Sequence, residues 1–138
     1  MIDIRPVTDA LAVASQLRPE DMAPAAAMGF TLVINNRPDG EVPDQPTAAQ
    51  MEAAARAAGM DYVHIPVTGA ATPTQVVAMG AAIDAAMEAD NGKVLAFCRS
   101  GTRSIVTWSR GRLASGDDRA RLIAQGAEAG YDLSGVLG

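Results

Sequence analysis

The chain has 138 residues, 49% of them hydrophobic, which is enough for one domain over residues 1–138 around a single core. A formal charge of −5 gives no nucleic-acid footprint, and no stretch approaches membrane-spanning length. One cysteine excludes an internal disulfide or thiolate metal cluster, and one histidine excludes a His-rich metal site. No N-terminal apolar run resembles a secretion signal, so a reducing, cytoplasmic setting is expected, with no metal and no cofactor.

Ile2 to Val7 and Leu11 to Ala14 read as short strands joined by a turn at Thr8-Asp9. Pro19, Glu20 and Asp21 open a helix that Gly29 closes. Phe30 to Ile34 is the next strand, β-branched and apolar. Asn35 to Pro46 is too rich in Pro, Gly, Asp and Asn to be anything but loop. A helix over Thr47 to Ala58 and a strand over Met60 to Val67, with His64 inside it, follow. Thr72-Pro73 is an N-cap with proline at the first helical position. That helix runs to about Ala89, and Val76, Met79, Ile83 and Met87 form its predicted buried stripe. After an Asn91-Gly92 turn, Val94 to Phe97 has the unbroken apolar character of a buried central strand. A helix to about Ala114, a break at Ser115-Gly116, a helix over Asp117 to Ala129 and a short tail complete the chain. Trp108 and the helically spaced methionines read as core.

The alternation of strand and helix predicts an α/β fold, a largely parallel sheet of four to five strands with helices on both faces. Three strands are expected to run parallel, and ligands on such sheets bind beyond the strands' carboxyl ends. Asn35 to Pro46, Thr68 to Thr72 and Arg99 to Arg103 then share one rim.

The chemical signal is the stretch KVLAFCRSGTRS, Lys93 to Ser104. Cys98 sits where the central strand hands over to a helix that can start at Ser104. Unpaired N–H groups, the positive end of the helix dipole and two arginines converge there. Such surroundings depress a thiol pKa and produce a thiolate nucleophile. Arg103 opens the helix directly behind the thiol and is the expected catalytic partner. Arg99, Ser100, Gly101, Thr102 and Ser104 are expected to bind an anion, with Gly101 letting backbone N–H groups approach and Ser104 capping the helix. The plain alternative for Cys98 is a small buried hydrophobe at a strand end. Arg99, Arg103, Arg110, Arg112, Arg119 and Arg121 cluster in one stretch opposed there by Asp117 and Asp118, so an acidic chain gains a basic region suited to a small anion. In the first rim loop, Arg37 either reaches the anion or ties down its own loop. Asp39 is a candidate acid whose plainer role is an Asp-Gly turn. His64 is expected to be structural.

Strand, cysteine, loop, arginine and helix in this order resemble the cysteine phosphatase and rhodanese superfamilies. The combination INNRPDGE (34–41), YVHIPV (62–67) and CRSGTRS (98–104) resembles a narrower family. This is the beta-lactamase hydrolase-like protein phosphatase-like domain, also designated a sulfurtransferase (DUF442). The resemblance covers nearly the whole chain. It implies a dual-specificity-phosphatase-like fold and an association with sulfide-oxidation proteins such as persulfide dioxygenases. Phosphatases of this kind carry His-Cys, five residues, then Arg. Here Phe97 replaces the histidine and four residues separate Cys98 from Arg103, the loop length that single-domain rhodaneses resemble. The loop Thr68 to Thr72, where a phosphatase's general acid usually lies, carries no acid. The expected function is therefore a sulfurtransferase with a Cys98 persulfide. Its donor would be thiosulfate or a low-molecular-weight persulfide, its acceptor a thiol, sulfite or cyanide, and a persulfide dioxygenase a potential partner. The alternatives are a phosphatase acting through phosphocysteine, and a non-catalytic persulfide carrier or anion-binding module.

Overall fold

A computed structural model describes residues 2–137. Five strands form one sheet: β1 (Ile4–Pro6), β2 (Leu11–Ala14), β3 (Leu32–Asn35), β4 (Asp61–His64) and β5 (Val94–Phe97). The spatial order is β1-β2-β5-β3-β4, with β1 antiparallel to β2 and every other pair parallel. Four strands are thus parallel, one more than the sequence required. The addition, β2, brings a fourth loop to the functional rim.

The helices are α1 (Met22–Ala27), after a 3₁₀ turn at Pro19–Asp21, α2 (Ala48–Ala57), α3 (Pro73–Met87), α4 (Thr102–Ala114) and α5 (Arg119–Glu128). Thr47 and Thr72 each accept the N–H of the glutamine three residues on, and that glutamine returns a bond to the cap's own N–H. These reciprocal pairs fix where α2 and α3 start. Every residue of β5 is buried because successive side chains enter opposite layers. Val94 and Ala96 meet Ile105, Trp108, Met79 and Leu122 on the α3–α4–α5 side. Leu95 and Phe97 meet Met22, Met51 and Tyr62 on the α1–α2 side. Truncating Phe97, wholly buried, to alanine would cost about 3–5 kcal/mol. This two-sided packing holds the carboxyl end of β5 rigid.

The α3 stripe needs correction. Met79 and Ile83 are buried, but Val76, in the first turn of α3 against Gly111 of α4, is only half-buried, and Met87, the last residue of α3, is 37% exposed. Met28, beyond α1, is exposed as well. Helix α4 starts at Thr102, with Gly101 at its N-cap, so Ser104 is a buried third residue rather than the cap. Among the described residues, no helix is long and apolar enough to cross a membrane.

Candidate active site

Cys98 is fully buried one residue beyond β5, at the centre of the rim. The chain turns back on Gly101, whose φ of +87° is a left-handed conformation that glycine adopts without strain. This turn aims the Gly101 N–H at the Cys98 sulfur, 3.1 Å away. Donors of this kind stabilise a thiolate or any anion built on it. Ser100 and Thr102 are exposed, and the Ser100 hydroxyl donates to Thr102 Oγ1 at 3.0 Å. Arg99 is exposed on the rim, and its backbone carbonyl accepts the Gln16 N–H from the loop after β2. Ser104 is buried, with no hydrogen-bond partner for its hydroxyl among the described residues.

Arg103 is the organised charge of the site. Its two terminal nitrogens each donate to one oxygen of Glu41 at 2.8 Å, and Nη1 also donates to the Val67 carbonyl at 2.9 Å. Glu41 lies in the loop after β3, so one ion pair ties two rim loops together. Arg37, 3% exposed, donates from Nε to the same carboxylate at 2.7 Å and from Nη1 to Gln16 at 3.1 Å. Arg37 therefore braces the loop. The Arg103 bond holds the Glu41 carboxyl down at about 2; partial burial opposes this and Arg37 assists it. In return Glu41 raises the Arg103 pKa, against the effect of burial and with help from the neighbouring Cys98. Two guanidiniums and one carboxylate leave this cluster a net +1, and its Arg103 lies within electrostatic reach of Cys98.

Asp39 is exposed and accepts the Ala48 N–H at the start of α2 at 2.7 Å. Gly40, at φ +77°, completes the turn. The aspartate thus sits in the turn with Gly40 and also caps the start of α2. His64 is bonded through its ring to the Arg37 carbonyl at 2.8 Å and is structural. The six-arginine cluster is not one field. Arg112 pairs with Asp117, and Arg119 binds the Ser134 and Leu137 carbonyls; at about 1.5 Å per residue, Arg112 lies well over 10 Å along α4 from Arg103. Sequence reasoning missed Glu41 as a site residue, although it shares a rim loop with Arg37. It missed Gln16 because β2 was not placed among the parallel strands, and it missed Tyr131, whose hydroxyl bonds the Ser100 carbonyl.

A buried cysteine beyond a central parallel strand, an N–H-lined turn and an arginine opening the next helix define a phosphatase-like domain with a cysteine at the nucleophile position. The chain belongs to the family described as beta-lactamase hydrolase-like protein, phosphatase-like domain, whose model matches residues 3–115. A beta-lactamase hydrolase-like protein of Agrobacterium fabrum is 38% identical over 128 residues, which is 92% of this chain and 29% of that protein. The chain thus spans under a third of the length of that relative. The crystal structure of a candidate phosphatase from Neisseria meningitidis matches with a TM-score of 0.84 and 31% identity, covering 98% of this chain and 94% of that one. A mouse protein described as a candidate dual-specificity phosphatase shares the fold at 20% identity and a TM-score of 0.67, over 99% of this chain and 78% of that one. The family and both structures are described in terms of phosphatases, and none of these descriptions speaks of sulfur transfer.

Proposed function

We propose that the domain is a sulfurtransferase that carries a sulfane sulfur on Cys98. The observation that supports this most is the state of the rim's carboxyl groups. A phosphatase needs a protonated acid for its leaving oxygen. Glu41 is held ionised down to a pH of about 2 by its bond to Arg103, Asp39 is spent on the start of α2, and Asp44, the third carboxyl of that loop, lines a surface with Arg18, Glu20 and Gln50 that none of Cys98 to Arg103 lines. The loop after β4 offers no carboxyl. Sulfur transfer needs no such proton. The Cys98 thiolate attacks the outer sulfur of thiosulfate; the S–S bond breaks and sulfite leaves with its electron pair. The resulting persulfide monoanion faces the Gly101 N–H and Arg103. An acceptor thiolate then takes the outer sulfur, leaving as a persulfide and restoring the Cys98 thiolate.

The descriptions of the relatives favour a second reading, a phosphatase acting through phosphocysteine, and they speak for it more directly than for sulfur transfer. Mass spectrometry separates the two. Incubation with thiosulfate should add about 32 Da to Cys98, one sulfur atom. A phosphoryl adduct from an aryl phosphate, with no sulfur adduct, would establish the phosphatase instead. A persulfide that drains only to a partner protein would mark a carrier, for which a persulfide dioxygenase is the fitting acceptor. A folded Cys98→Ser variant should transfer nothing, since the chain has no second thiol.

A further inference from the structure

The peptide unit between Ser100 and Gly101 is held from both sides. Its N–H donates to Cys98 Sγ at 3.1 Å, and its carbonyl accepts the Tyr131 hydroxyl at 2.8 Å. In a planar trans peptide these two groups point in opposite directions, so fixing one fixes the other. Tyr131 comes from the tail after α5, beyond the residues 3–115 that the family model matches. The tail is itself anchored. The Tyr131 N–H bonds the Gly126 carbonyl at 2.8 Å, Leu133 and Leu137 are buried, and the Arg5 guanidinium from β1 lies 5.6 Å from the Tyr131 ring centre. The Tyr131 hydroxyl also occupies the space that a Cβ on Gly101 would need, which closes the turn to any other residue.

We propose that Tyr131 is a positioning residue that locks the Ser100–Gly101 peptide with its N–H toward the Cys98 sulfur. Without the hydroxyl the peptide is free to rotate, and a rotated peptide turns its carbonyl dipole on the thiolate. The donated bond also polarises the amide, which strengthens the N–H as a donor. The charged groups around this corner are Arg103 from α4, paired with Glu41 and through it with Arg37 from the loop after β3, Arg99 on the loop itself, and Arg5 from β1 with its partner Asp3. None of them replaces the hydroxyl at the Ser100 carbonyl.

The inference rests on Cys98 as the reactive thiol and is indifferent to the group that the thiol transfers. The test is alkylation of Cys98 by iodoacetamide against pH, in the unmodified protein and in Tyr131→Phe, which keeps the ring and removes the hydroxyl. The midpoint should rise by roughly one pH unit in the variant, seen as up to about tenfold slower alkylation near neutral pH. A merely structural tyrosine would lower the melting temperature and leave the midpoint in place, and that result overturns the proposal. A second measurement needs no variant. The Gly101 amide resonance of the unmodified protein should shift as the Cys98 thiol titrates, with the same midpoint. A Gly101 resonance that ignores the titration overturns the proposal even if Tyr131→Phe fails to fold. Both readouts work without substrate, so their failure is distinct from failure of the sulfur-transfer reading.

Discussion

Two loops flank the thiol, and they are built in opposite ways. At the end of β3 and in the loop after it, Asn35, Asn36 and Arg37 are buried in succession. Asn35 Oδ1 accepts the Arg37 N–H, Asn36 Nδ2 donates to the Ile65 carbonyl, and Gln45 donates to the Pro38 carbonyl. These bonds offset the cost of burying polar groups, and they carry Glu41 to Arg103 in a fixed position. In the loop after β4, Thr68, Gly69 and Ala70 are exposed. That loop touches the site through the Val67 carbonyl, which accepts from Arg103. Of the braced loop's three carboxylates, Glu41 orients an arginine, Asp39 caps α2 and Asp44 lies out beside Arg18 and Gln50, whereas the open loop has none to offer. This contrast is what the sulfur-transfer proposal rests on: among the described residues of these two loops, the carboxylates present are engaged elsewhere than at Cys98.

The comparison breaks first at Glu41. Glu41→Ala removes the shared partner of Arg37 and Arg103 and leaves Arg37 buried and unpaired, so a loss of about 2–4 kcal/mol is expected, allowing for the partial exposure of the pair. Sulfur transfer should fall on the order of a hundredfold as Arg103 loses its orientation, whereas Thr68→Ala in the open loop should stay within roughly twofold. Chemical denaturation and thiosulfate turnover measured side by side decide it. Equal effects in the two variants would erase the distinction between the loops.

A smaller effect is expected at Arg103. Arg103→Lys keeps the charge but cannot bond both Glu41 oxygens and the Val67 carbonyl from a planar fork, so turnover should drop roughly tenfold. Arg99→Lys, exposed on the rim, should lose about twofold or less. A larger loss in Arg99→Lys would reverse the two assignments.

Placing an acid in the open loop sharpens the contrast further. Ala70→Asp should raise the hydrolysis of phenyl phosphate, whose leaving group is poor, by a few-fold, well short of the roughly hundredfold or more that a fully positioned general acid contributes, with sulfur transfer unchanged. If the unmodified protein already hydrolyses phenyl phosphate as fast as the variant, the missing acid is not what separates the two chemistries.

The smallest effect is one of pH. The folded Glu41 carboxyl titrates near 2 instead of its ordinary 4.5, so it binds a proton less readily folded than unfolded. Its contribution to stability is complete above about pH 4.5 and is lost as the pH falls from there through about 2. Acid denaturation of Glu41→Gln should lack this component. Identical stability slopes for the two proteins over that window would show that the pair is weaker than its geometry implies.

The sequence by itself determined what depends on near neighbours. The apolar run ending at Cys98, the glycine turn and the arginine that follows lie within ten residues, and they marked Cys98 as the candidate nucleophile. The caps at Thr47 and Thr72 are reciprocal bonds across three residues, so the starts of α2 and α3 were legible too. The alternation of strands and helices carried the fold class, because burial on both faces leaves a compositional mark. Only the tertiary structure decided the partners of that nucleophile. Glu41 meets Arg103 across 62 residues, Gln16 meets Arg37 across 21, and Tyr131 meets Ser100 across 31. Each contact depends on which strand lies beside which. The placement of β2 next to β5 set Gln16 on the rim, and the return of the tail over α4 set Tyr131 against the loop. A single side chain's type carries no record of a partner that far away. The same glutamate, read alone, was one polar residue among many in a loop, and only the folded sheet turned it into the anchor of Arg103.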